Sequence, residues 1–390
     1  MDDAYDAGVC RSSVVLVLAM GCGGVERAMP ETDAAAAAGS TTGGVAGAGG
    51  GAGQGGGGDG GQGGSGGAAC APALVACGQT RCHVEQSCVD GACRWPCAGV
   101  TVPGDFATVQ EAVDAMAAGG TICVGPGTFA ETVTVTPDGD LTIRGADARA
   151  TRIDAVKIEG GSGAVTVEGL AAGYFESNSL DVHVRACDLG GSTAVIGLTV
   201  LAPMEPYSVY VEGTRIAGDF GAVELQDLEQ SAKGSVVLEN CSVHGSKYGI
   251  DGHIHHGPGA SLELTGCFFA GFETAVHPGI AFGGFSVKVL QSVFVDNGLA
   301  IEDMLGGGPF GAGHNVFFGN GADYQSGAAY PADVVTDPLL DDGDPPEPLL
   351  GSPCIDGGDP AVGSGHDFYG AVRCGAPDIG PVENGAAPGG

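Results

Sequence analysis

Large side chains and positive charge are what this chain has least of. Aromatic residues fill 6% of its 390 positions, and Trp95 is the single tryptophan. Lysine and arginine number 14 against 47 aspartates and glutamates, for a formal charge of −33. So few cations exclude a nucleic-acid partner and an anionic membrane surface, because Lys and Arg supply the energy of both contacts. The apolar run at Ser12–Met20 is too short to span a bilayer. Glycine, by contrast, is abundant at 75 residues, but without the strict Gly-X-Y period of collagen. Apolar residues at 43% are too many for a wholly disordered chain.

Eighteen of the glycines lie between Gly39 and Gly67, among Ala, Ser, Thr and Gln. Such a stretch cannot bury enough apolar surface to offset its conformational entropy, so residues 22–69 are expected to be a flexible tether. It would span roughly 35–40 Å root-mean-square. Upstream, residues 1–21 read as a signal peptide, with Ser12–Met20 as its apolar core. The string Leu18-Ala-Met-Gly-Cys22 resembles a bacterial lipobox, which implies lipidation of Cys22; ordinary cleavage and secretion is the alternative. Either way the protein is expected outside the cytoplasm, as a surface-exposed outer-membrane lipoprotein or secreted, with the membrane touched only through that anchor. Residues 70–97 carry Cys70, Cys77, Cys82, Cys88, Cys93 and Cys97, which in an oxidising compartment predict a disulfide-stapled module. Six cysteines allow 15 pairings, and spacing does not choose among them.

From residue 98 to about 330 a short alternating strand recurs, as in Val165-Thr-Val-Glu-Gly-Leu170, Val209-Tyr-Val-Glu-Gly-Thr214 and Leu262-Glu-Leu-Thr-Gly-Cys267. The residues closing these strings, 146, 170, 187, 214, 241, 267, 292 and 315, are mostly 23 to 27 apart, with one gap of 17. Period-2 alternation excludes a helical solenoid, and units this short must stack to share a core. An all-β right-handed parallel β-helix follows. Here the chain resembles the pectate-lyase-like superfamily. Phe106–Met116 followed by Thr121-Ile-Cys-Val-Gly-Pro-Gly-Thr-Phe129 is similar to its opening, a capping helix with a Thr108/Glu111 capping box. Residues 331–390, with Leu350-Gly-Ser-Pro-Cys-Ile-Asp356 and Pro377-Asp-Ile-Gly380, resemble the closing segment of secreted bacterial β-helix proteins. Cys354 and Cys374 flank that segment and are expected to pair, whereas Cys187, Cys241 and Cys267, stacked in one inward column, are expected to be buried thiols.

Ten residues after the anchors 214, 241, 267 and 292 stand Glu224, Asp251, His277 and Glu302. In a stacked register they form one row, spaced about 4.8 Å per coil. A carboxylate and His277 in such a row are candidate general base and acid, and Glu224, Asp251 and Glu302 are candidate Ca²⁺ ligands. His253, His255 and His256 could bind metal or simply form an exposed loop. Arg185 and Arg215 could play the arginine base that the resemblance implies, or take part in cross-strand ion pairs. The acidic run Asp341-Asp-Gly-Asp344 hints at Ca²⁺ but lacks a complete EF-hand loop. The superfamily's Asn-Thr-Asp, Gly-His-Gly and Trp-Ile-Asp-His strings are absent. The expectation is therefore a monomeric surface protein that binds polysaccharide or mediates surface contact without turnover. A polysaccharide lyase, epimerase or hydrolase and a structural envelope protein are the alternatives. Beyond residue 97 there are 38 acids against 10 bases, so acidic polymers would need help from divalent cations such as Ca²⁺.

Overall fold

A computed structural model describes residues 76–384, apart from 78–79, 192–193, 195, 203–205, 228–232, 253–258, 280–284, 304–308, 329, 364 and 374. Cys22, the tether, Cys70, the histidines at 253, 255 and 256, and Cys374 lie outside the described residues. From Val100 onward the chain winds as a parallel β-helix, right-handed as parallel crossovers require, with three strands per regular coil. The first face is a ladder of ten strands, from Val100–Val102 through Tyr207–Glu212 to Phe310–Gly313. The second holds short strands such as Arg215–Gly218 and Phe268–Ala270, and the third Gly221–Asp227, Tyr248–Gly252 and Thr274–His277. The strands Gly127–Val135 and Thr151–Glu159 run unbroken through the corner that later coils interrupt with a turn.

The bend from first to second face recurs at Gly169, Ala186, Gly213, Asn240, Gly266, Gln291 and His314, all with φ between 50° and 64°. A left-handed residue reverses the chain in one step, which Gly does freely and other residues at a cost of about 1–2 kcal/mol. The next residue then points inward. These are Leu170, Cys187, Thr214, Cys241, Cys267, Ser292 and Asn315, the column that the sequence repeat marks, and all are buried. Its polar members bond from coil to coil: Thr214 Oγ1 accepts from the Cys187 amide, Ser292 Oγ from Cys267 and Asn315 Oδ1 from Ser292. Cys187, Cys241 and Cys267 are free thiols, as expected. Beside them Phe269, Phe294 and Phe317 stack at 5.2 and 5.3 Å with nearly parallel rings. A short helix, Val109–Ala115, covers the N-terminal end, started by the Thr108/Glu111 capping box and burying Val109, Ala112 and Val113. Tyr324 and Tyr330, 4.7 Å apart against Phe310, pack on the last coils.

Two disulfides staple the small N-terminal module, Cys77–Cys88 and Cys82–Cys93. The third corrects the expectation that the module is closed on itself. Cys97 bridges to Cys123 in the first-face strand Gly120–Val124, so the module is sewn onto the β-helix. Trp95 seats it further: its amide donates to Ala146 O, and its ring lies between Arg144 and Arg185 at 5.8 and 5.1 Å. Gly169 leaves room for that ring, since a Cβ there would stand 2.3 Å from Trp95 Nε1.

The closing segment runs back along the same side. Cys354, Ile379 and Leu340 pack on the outer surface of Phe268, Val293 and Val316, forming a second apolar core outside the solenoid. Farther along, Arg373 donates to Asn240 Oδ1 and Gly380 O, Gln291 to Asp359 O, and Asn240 to His366 O. The Val84 amide then donates to Tyr369 O, joining segment to module. Cys354 is a free, fully buried thiol with a pKa pushed up to about 11 by burial, not the partner of a bridge, which departs from the expected pairing.

Candidate functional site

The second face is covered by the closing segment, whereas the third face carries the row expected from the sequence. Glu224 pairs in register with Asp251, and Asp251 with His277. Val276 pairs with Ile301, and the Glu302 amide donates to Val276 O, which places Glu302 next to His277. The row extends toward the N-terminus as Thr199, Glu176 and Lys157. Alternation turns this row outward, because the preceding residues Val156, Phe175, Leu198, Val223, Ile250, Val276 and Ile301 are wholly buried.

Its members differ in access. Asp251 is 1% exposed and Glu224 8%, whereas the side chains of His277 and Glu302 keep 32% and 24% of their surface open. His277 Nδ1 is hydrogen-bonded to the Glu302 carboxylate, and its ring stacks on Tyr248 at 5.2 Å and 24°. Lys247 lies over Tyr248 and over Phe220, at 4.9 and 4.1 Å. The bond to Glu302 raises the His277 pKa above its ordinary value; burial opposes this, and the charges of Glu302 and Asp251 add to it. At the other end Tyr174 donates to Glu176 at 2.7 Å, and burial pushes its pKa up to about 12.

Tyr174, Glu176, Thr199 and Tyr248 were not legible from the repeat. Ten residues after the anchors at 170 and 187 fall on 180 and 197, not on Glu176 and Thr199, because these coils differ in turn length. Tyr248 sits at a strand start, where alternation gives no direction.

The remaining candidates have structural duties. Arg185 pairs with Glu168 at 3.3 Å and with Glu85 of the module, and Arg144 also holds Glu168. Arg185, Glu212 and Glu239 stack in register. Arg215 binds Asp344 in the closing segment and lies over Phe368. Asp341 accepts the amides of Gly343 and Glu347, and so shapes a turn. Ser242, His244 and Asp344 meet, but His244 contacts both partners through Nε2, so its ring does not relay between them. Among the described residues the three ligand-type side chains converging within 4.8 Å are Cys77, Cys82 and Cys93, all in disulfides. Grooves of about 370 Å³ beside Trp95 and the Cys97–Cys123 bridge, and of about 260 Å³ between Arg149 and the 341–347 turn, lie away from the row.

No protein-family profile and no curated protein matches the chain. Three solved structures show a distant likeness. Pectin methylesterase from carrot is 14% identical, with 62% of this chain and 88% of that one covered and a TM-score of 0.36. Pectin methylesterase PemA from Erwinia chrysanthemi is 11% identical, with coverage of 61% and 92% and a TM-score of 0.30. Escherichia coli ybhc is 15% identical, with coverage of 64% and 81% and a TM-score of 0.32. The β-helix itself is read from this chain's own strand pairings.

Proposed function

We propose that this chain is an exported β-helix protein, held at the outer surface of the cell by a lipid on Cys22, that binds a polysaccharide along its third face. The observation that carries the reading is the in-register row from Lys157 to Glu302 on one stripe facing away from the solenoid core, with Lys157, Glu176, His277 and Glu302 open to solvent on either side of the buried Thr199, Glu224 and Asp251. An extended polymer of repeating units matches such a surface better than a compact ligand does. Three disulfides among the described residues support an oxidising compartment. The formal charge of −33 favours a neutral polymer, or an acidic one bridged by Ca²⁺. Binding is the whole of this reading, with the protein acting as a monomer.

Electrophoresis of the full chain with Cys22→Ser, through gels containing neutral or acidic polysaccharides, tests it. Retardation by a neutral polymer without Ca²⁺, or by an acidic one only with Ca²⁺, is the expected result. Unchanged mobility in every gel refutes the reading. Labelled fatty acid should enter the native protein in cells and not the Cys22→Ser variant; equal labelling removes the anchor.

A further inference from the structure

One group on the third face is built for more than contact. His277 has its Nδ1 engaged by Glu302 from the following coil, and one ring face packed by Tyr248 from the preceding coil. Tyr248 is in turn fixed by Phe220, edge-on at 6.0 Å, and by Lys247. The imidazole is thus held in plane and in rotamer, with Nδ1 as the hydrogen-bonded nitrogen and Nε2, which bonds to none of the described residues, as the one left for a ligand. About a third of the His277 side chain is open to solvent. Among the described residues the other charges around it are Asp251, from the preceding coil, and Lys247, across Tyr248.

We propose that His277 is a general acid for cleavage of a glycosidic bond in a neutral polysaccharide lying on this face, with Glu302 and Tyr248 as its positioning residues. The inference rests on the reading of the third face as the polysaccharide surface. In the step, the Nε2 proton passes to the bridging oxygen as the bond from that oxygen to the anomeric carbon breaks. Water forms the new bond to that carbon and releases a proton to solvent, from which the imidazole recovers its own. One water is consumed, and no other reactant is needed. The carboxylates of Glu302 and Asp251 suit the role, because they favour the protonated ring that a general acid requires. Asp251, at 1% exposure, acts through its charge and does not touch the polymer.

The test uses the full chain with Cys22→Ser and a neutral polymer that retards it in the gel, following new reducing ends across pH. The expected result is turnover that His277→Gln lowers about 10²–10⁴-fold while retardation persists. Glu302→Gln should move the basic limb of the pH–rate profile to lower pH, since removing that carboxylate weakens the hold on the proton. A uniformly lower rate with an unmoved limb overturns the positioning role. Nitrogen-15 shifts of the labelled imidazole give a readout independent of activity: Nδ1 should stay protonated as the ring titrates. Retardation without reducing ends overturns the proposal and leaves the binding reading intact, whereas absence of retardation overturns both.

Discussion

Asp378 in the closing segment gives the sharpest pH-dependent prediction. It is 2% exposed, and burial raises its pKa to about 6, although the amides of Asp356 and Asn384 donate to it and favour the charged form. A carboxyl whose folded pKa lies above its unfolded value stabilises the fold below the unfolded pKa. That contribution is lost as pH rises through the folded one. From about 4 to about 6 the shift is two units, so the fold should lose about 3 kcal/mol from this group between pH 3.5 and pH 7.5. Asp378→Asn cannot charge. It should cost about 1 kcal/mol at low pH, where one acceptor is lost, and then gain on the native chain by about 3 kcal/mol as pH rises. Urea unfolding of both proteins at several pH values, followed by circular dichroism, measures the difference. A stability difference that stays constant from pH 3.5 to 7.5 refutes the reasoning.

Three further outcomes follow from packing. Phe294→Ala removes the middle ring of the phenylalanine stack at a fully buried site and should destabilise by about 3–5 kcal/mol, read as a lower urea midpoint. Replacing Cys97 and Cys123 by serine opens a loop with a sequence separation of 26 and should cost about 3 kcal/mol, while faster proteolysis near residues 94–98 reports the loosened module. Gly213→Ala should destabilise by about 1–2 kcal/mol, because φ is 53° and the added Cβ would sit 2.6 Å from Phe368 O in the closing segment; an unchanged midpoint would show that the segment yields freely.

The solenoid was legible because its bend leaves a chemical mark. Apart from Gly169-Leu170, the described turns from first to second face pair a left-handed residue with a small or polar inward one, as in Gly213-Thr214, Asn240-Cys241 and Gly266-Cys267. The row Glu224–Asp251–His277–Glu302 was legible because those coils keep nearly constant length. Where turn length varies, as before Glu176 and Thr199, counting loses the column. The course of the closing segment was harder to read, although a signal existed. Cys267-Phe-Phe-Ala270 and Ser292-Val-Phe-Val295 are apolar on successive residues, which marks strands buried on both sides. The Cys97–Cys123 bridge joins the module to the β-helix by a contact that spacing alone does not encode.

The central claim is that the third face is the polymer surface. Hydrogen exchange with and without a polysaccharide that retards the protein tests it most directly. Slowed exchange concentrated in Gly221–Asp227, Tyr248–Gly252 and Thr274–His277 is the expected footprint. A footprint confined to the first face, or to the disulfide module and the closing segment, would contradict it.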